Sequence, residues 1–182
     1  YAYAVLLTQA GWPVPAAIVM AIALPALIGA LVAYFGSEFD EERFAVATLA
    51  FNVLIVNIMV NWAELTRGAD GISQIPRISF LGYGSSRPEF LTVCVVVAVV
   101  VYVFLQRLTT SGFGTLLRAR GLERHVVEAL GASVIWLRVK AVALGGGIAG
   151  VAGTLLAMHS GYIAPQMFEL HLSILLLAMV VM

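Results

Sequence analysis

The chain has 182 residues, of which 62% are apolar and only 11% charged, with ten basic and ten acidic side chains. Soluble domains are normally about 25% charged, so this composition excludes an ordinary soluble domain, and a formal net charge of zero supplies no global field for nucleic acid or for an acidic substrate. The one cysteine, Cys94, sits in an apolar run, which excludes an intrachain disulfide and a thiolate metal cluster and marks it as a small apolar filler.

Apolar windows of about 20 residues are long enough to cross a bilayer as helices. Taken in chain order, Ala2 to Leu7 reads as the tail of an earlier span, and Pro15 to Tyr34 is the first complete one. Pro25 lies inside it and is expected to kink it, because proline lacks a backbone donor and its ring clashes with the preceding turn. Phe44 to Trp62 is the second span. Phe90 to Leu108 is the third; its valines would suit a strand in a soluble protein, but its length fits a span. Val139 to Met158 is the fourth, and Leu172 opens a fifth. The expected fold is therefore all-α: a polytopic transmembrane helical bundle with about five complete or partial spans. Residues 1–182 are read as a single transmembrane domain, with a cytoplasmic loop over 109–138 and an external loop over 63–89. The chain starts without methionine, shows no signal-peptide pattern and stops in an apolar run, so both ends are expected to be cut from a larger subunit.

The loops alternate in charge. Gln106 to Lys140 carries Arg107, Arg118, Arg120, Arg124, Arg138 and Lys140 against Glu123 and Glu128. The positive-inside tendency places this stretch in the cytoplasm. Alternation then puts Ala63 to Glu89 outside, Phe35 to Arg43 inside and His159 to Leu170 outside. The inner stretch is acidic (Glu38, Asp40, Glu41, Glu42), which weighs little because acidic residues contribute little to the rule.

Two features within the spans stand out. The fourth span holds Gly146 and Gly150, and Ala149 and Gly153, each pair four apart; small residues at that spacing let helices approach closely in lipid. Asn57 and Asn61 share one helix face, with Asn52 well round from them. A polar side chain in hydrocarbon needs a partner or a water-filled path. Two readings stand: a polar stripe lining a translocation path, or an interhelical hydrogen-bond clamp. Trp62 reads as an interfacial anchor. In the external loop, Gly68, Gly71 and Pro76 mark turns, which suit either an ordinary ordered loop or a docking surface.

Catalytic and metal signatures are not legible. His125, His159 and His171 lack the spacing of a metal site. No phosphate-binding glycine loop and no serine–histidine–acid set occurs, so neither enzyme activity nor a resident cofactor is expected on this chain.

In the cytoplasmic stretch, Gly121 and Gly131 bracket a short amphipathic helix candidate. Val126, Val127 and Leu130 cluster on one face, with Glu123, Arg124 and Glu128 around the rest. Such a helix can lie on anionic lipid or insert into a groove on a soluble partner, and the residues alone favour neither.

Three blocks carry a resemblance. The first is Phe44-Ala45-Val46-Ala47-Thr48-Leu49-Ala50-Phe51, followed by Asn61-Trp62 and Gly71-Ile72-Ser73-Gln74-Ile75-Pro76. The second runs from Gly112-Phe113-Gly114-Thr115-Leu116-Leu117-Arg118-Ala119 through Glu128-Ala129-Leu130-Gly131 and Lys140 to Gly153. The third is Gly161-Tyr162-Ile163-Ala164-Pro165-Gln166-Met167-Phe168, then Leu172-Ser173-Ile174. Each is weak alone, but three in order across most of the chain are fairly specific. They resemble the permease subunits of bacterial branched-chain amino acid ABC importers.

The resemblance implies a permease half that moves branched-chain amino acids across the bacterial inner membrane by alternating access. Its implied partners are a homologous permease, two cytoplasmic ATPase subunits that hold the ATP and Mg, and a periplasmic solute-binding protein. Val126, Val127, Glu128, Ala129, Leu130 and Gly131 would couple to the ATPase. Asn57 and Asn61 would face the path, and Asp70, Gly71 and Pro76 would face the binding protein. The alternatives are a related ABC permease for urea, short amides or a sugar, and, in another class, an ATP-independent carrier or a membrane scaffold. The complete spans contain no Asp or Glu, which counts against an ion-coupled carrier.

Overall fold

A computed structural model describes residues 1–75, 87–120, 133–168, 173–175 and 178–179, leaving aside the side chains of residues 38, 41, 87, 88, 119 and 120. The described residues are dominated by helices: α1 (Ala2–Thr8), α2 (Val14–Phe35), α3 (Glu41–Asn61), α4 (Ala63–Thr66), α5 (Arg87–Thr110), α6 (Gly112–Arg120) and α7 (Val134–Ser160). Two-residue strands β1 (Ile72–Ser73) and β2 (Tyr162–Ile163) form one antiparallel pair. Helices α2, α3, α5 and α7 are each long and apolar enough to cross a membrane. The chain is an all-α multi-pass membrane protein. Its apolar side chains point outward as they would toward lipid: Leu27 and Val100 are both 62% exposed. In hydrocarbon such exposure costs nothing, so what is buried between helices is small instead.

Backbone hydrogen bonding explains why the spans are helical, since a helix satisfies every interior donor and acceptor within itself. Helix α2 runs unbroken through Pro25, which removes one internal bond without ending the helix. Helix α7 begins at Val134, five residues before the window that hydropathy alone selects. Arg138, assigned above to the loop, lies inside this helix.

The chain divides into two compact bodies. The first comprises Tyr1–Ala21, Glu38–Arg77 and Gly153–Met182. Its core joins Tyr3 and Ala4 of α1, Ala17 and Ala21 of α2, and Ala157 of α7 to Ile72, Ile75 and Ile163 around the strand pair. Two loops that alternation places on one side, Ala63 to Glu89 and His159 to Leu170, meet here, with the segment after α1 beside them. Gln9 Nε2 donates to the Leu65 carbonyl at 2.8 Å, and Ile72 pairs with Ile163. Same-side loops can do this; opposite-side loops cannot.

The second body comprises Ile22–Ser37 and Ile78–Ala152. Within it, α2 and α7 cross closely on small residues. A Cβ on Gly146 would fall 2.5 Å from the Pro25 carbonyl oxygen, and one on Gly29 would fall 3.2 Å from that of Val142. Residues 25 and 29, and 142 and 146, are one turn apart, so each helix offers a glycine to the other's backbone. Gly146 therefore lies on the packing face, as its spacing suggests. Among the described residues, nothing lies within 4 Å of the position a Cβ on Gly153 would take, so it joins no packing face there.

Arg138 ties the C-terminal end of α2 to the N-terminal part of α7. Its side chain is 8% exposed, and Nη1 donates to the Gly36 carbonyl at 2.9 Å. Gly36 opens the 3₁₀ turn Gly36–Glu38 that continues from the last residue of α2, so the guanidinium ties that end to α7. Hydrogen bonds to charged groups contribute about 1.5–3 kcal/mol. Arg138→Met should therefore lower the melting temperature of the purified full-length protein, with a loss of roughly 2 kcal/mol. Melting unchanged from wild type would show that the contact adds nothing.

Candidate functional site

Two polar regions of the first body are candidates: the face of α3 and a clasp of outer loops. On α3, Asn57 and Asn61 are both exposed. Asn57 Nδ2 donates to the Val53 carbonyl and Asn61 Nδ2 to the Asn57 carbonyl, each at 2.8 Å. Each amide donor is thus returned to its own helix. The two side chains stack one turn apart as a continuous polar strip, and neither makes an interhelical bond among the described residues. The clamp falls instead to Asn52, which the sequence sets apart from the pair. Its Nδ2 donates to Ser173 Oγ at 3.2 Å, and its buried Oδ1 has no partner among the described residues. Among the described residues, then, Asn52 bonds to the distant Ser173, whereas Asn57 and Asn61 bond within α3.

The outer clasp is built from the chain reversal after α3. Trp62 caps α3, its N–H donating to the Ile58 carbonyl at 2.9 Å. Thr66 then closes the short α4: its hydroxyl donates to the Trp62 carbonyl at 2.8 Å and accepts from the Gly68 N–H at 3.2 Å. The turn Gly68–Asp70 leads to Gly71, which has φ +70° and ψ −178°. Only glycine readily adopts that backbone. It delivers Ile72 and Ser73 into register with Ile163 and Tyr162. Tyr162 Oη donates to the Asp70 carbonyl at 3.1 Å, and Gln166 Nε2 to the Ala69 carbonyl at 3.3 Å. Asp70 keeps its side chain exposed, whereas Gly71 is buried against the backbone of Ile163 and Ala164. Gly71 thus shapes this surface rather than presenting itself on it.

Sequence reading missed the strand pair and the donors Tyr162 and Gln166. The available signal was the Gly161-Tyr162-Ile163 block, which lies far from Asp70 in the chain but on the same predicted side. Pro76 lies outside the described residues, as do all six coupling candidates, Val126, Val127, Glu128, Ala129, Leu130 and Gly131.

A multi-pass chain of four apolar helices long enough to span a membrane suits a permease. The family model for the permease component of branched-chain amino acid transport systems matches residues 1–182, the whole chain. The chain belongs to this permease family. Among curated relatives, the permease is 27% identical over 152 residues to the probable branched-chain amino acid transport permease protein LivM of Methanocaldococcus jannaschii, covering 84% of this chain and 44% of that protein. It is 28% identical over 183 residues to the high-affinity branched-chain amino acid transport system permease protein LivM of Escherichia coli, covering 87% and 43%. The protein of the same name from Salmonella typhimurium is 27% identical over 165 residues, covering 78% and 39%. The permease chain thus spans less than half the length of each of these relatives. No solved structure matches it significantly.

Proposed function

We propose that this chain is the translocating part of a permease subunit of an ABC importer in the bacterial inner membrane, and that its solutes are branched-chain amino acids. The match of all 182 residues to the permease family carries the reading. Transport by alternating access would be driven by ATP and Mg bound to two cytoplasmic ATPase subunits, with a homologous permease completing the pathway and a periplasmic binding protein delivering the solute. No cofactor is assigned to this chain, and the reaction chemistry belongs to the ATPase partners.

Residue roles follow the sides of the membrane. Asn57 and Asn61 would offer polar contacts along the path, since their side chains are exposed on the outer half of α3. The clasp around Asp70, with Gly71 and Pro76 shaping it, would receive the binding protein. Val126, Val127 and Leu130 would pack against the ATPase, Glu128 would make a polar contact with it, and Ala129 and Gly131 would complete the coupling helix. ATP can shift the equilibrium between states only through contacts that differ between them.

Two variants test these roles in the full-length complex. Glu128→Arg should leave the subunit inserted and ATP hydrolysis running, while leucine uptake falls about tenfold or more, in the usual range of coupling energies. Normal uptake would remove the coupling role. Asn57→Leu with Asn61→Leu should depress uptake without lowering the amount of folded protein. Unchanged transport would make the strip dispensable.

A further inference from the structure

A crevice of about 720 Å³ opens on the second body, between α2, α5, α6 and α7. Ile22, Val100, Leu108, Phe113 and Val151 mark its limits, and Lys140 is the one charged residue among the described residues that line it. Its volume suits a small-molecule or cofactor site, which typically measures about 300–1,000 Å³. Its lining does not suit a free amino acid. Lys140 could meet a carboxylate, but an ammonium group would find no side-chain acceptor on the walls.

Its depth is informative. Lys140 to Val151 covers about 17 Å along α7 at the helical rise. One leaflet of hydrocarbon is about 15 Å deep, half of a bilayer core. Helix α7 has 27 residues and is about 40 Å long, so it overhangs that core by roughly 5 Å at each end. Lys140 then lies a few ångström inside the inner edge, where a lysine reaches the headgroups by extending its stem. A protein helix, from this chain or a partner, would cross the whole core, whereas the crevice ends short of its far edge. Its apolar length and its single cation at the cytoplasmic end match one amphiphile.

We propose that the crevice holds an acyl chain of an inner-leaflet phospholipid and that Lys140 pairs with its anionic headgroup. The inference rests on the membrane orientation and not on which solute is carried. A lipid seated between α2, α5, α6 and α7 would fill space that helix packing leaves open, and would make the stability of this body depend on anionic lipid.

The test uses the full-length permease complex in nanodiscs of phosphatidylethanolamine with a minority of phosphatidylglycerol. After re-extraction in mild detergent, the phospholipid retained per complex is measured by mass spectrometry. Phosphatidylglycerol should be enriched over its share in the disc. Lys140→Gln should reduce that enrichment about fivefold, the effect of one basic residue at an anionic surface, and Lys140→Arg should preserve it. Ala143→Phe, which fills the crevice, should reduce retention of both lipids. Enrichment unchanged in Lys140→Gln, or retention unchanged in Ala143→Phe, would overturn the proposal. Should the filled variant not fold, Ile148→Cys settles the matter: efficient short-range cross-linking to another protein segment would show that protein occupies the crevice, and reaction with a thiol-reactive phospholipid would support the proposal.

Discussion

Gly71→Ala is expected to open the outer clasp and destabilise the permease by roughly 4 kcal/mol, adding backbone strain to a steric clash. Both contributions are local and separable. The backbone at φ +70° and ψ −178° lies in a region used essentially by glycine. A Cβ there would also collide with the Ile163 carbonyl oxygen and fall 3.0 Å from the Ala164 Cα. Both obstacles are backbone atoms and cannot swing aside like the end of a side chain. Relief requires β1 and β2 to separate, which takes Tyr162 away from Asp70 and exposes Ile72 and Ile163. Gly11 supplies the control. It has φ +62° with nothing within 4 Å of the position a Cβ would take, so Gly11→Ala should cost only the left-handed strain, about 1–2 kcal/mol. Melting temperature and protease sensitivity of the outer loops, measured on purified full-length variants, separate the two. Equal melting of Gly71→Ala and wild type would contradict the clasp geometry.

Gly146→Leu is expected to abolish the α2–α7 crossing and leave little folded protein. The Cβ alone would sit 2.5 Å from the Pro25 carbonyl oxygen and 3.0 Å from its carbon. Overpacking a well-filled contact typically costs about 1–3 kcal/mol, and a leucine adds three further carbons where no space exists. Separating the helices would also pull Gly29 away from Val142 and strain the Arg138 bond to Gly36, because all three contacts join the same pair of helices. Gly145 is the matched control: it is the adjacent residue, and among the described residues no atom lies within 4 Å of its Cβ position. Gly145→Leu should insert and fold as wild type does. Monodisperse yield after detergent extraction reads the difference. Comparable yields for the two variants would mean that the crossing is not close.

The spans were legible because lipid imposes one pattern. A run such as Phe90 to Leu108 must be helical if it crosses hydrocarbon, and α5 contains it with a few residues to spare at each end. The start of α7 was not legible. The window read from the sequence starts at Val139, but the helix begins at Val134 and takes in Arg138, whose Nη1 donates to the Gly36 carbonyl. Such a partner, more than 100 residues away, leaves no local trace. The same holds for Asn52, whose bond to Ser173 distinguishes it from Asn57 and Asn61 only in three dimensions. The clasp was half legible. Gly71 announced a turn, but two-residue strands carry no periodicity, and their pairing depends on which loops share a side. Alternation of the spans puts those two loops on one side, and the pairing of Ile72 with Ile163 requires that they share it.

The measurement that bears most directly on the proposed function is ATPase activity of the full-length permease, reconstituted with its ATPase and binding-protein partners and challenged in turn with leucine, urea and ribose. The account predicts stimulation by leucine in the presence of the binding protein and none by the other two. Stimulation by urea or ribose instead would contradict the assignment of the solute, and failure to associate with any ATPase would contradict the importer itself.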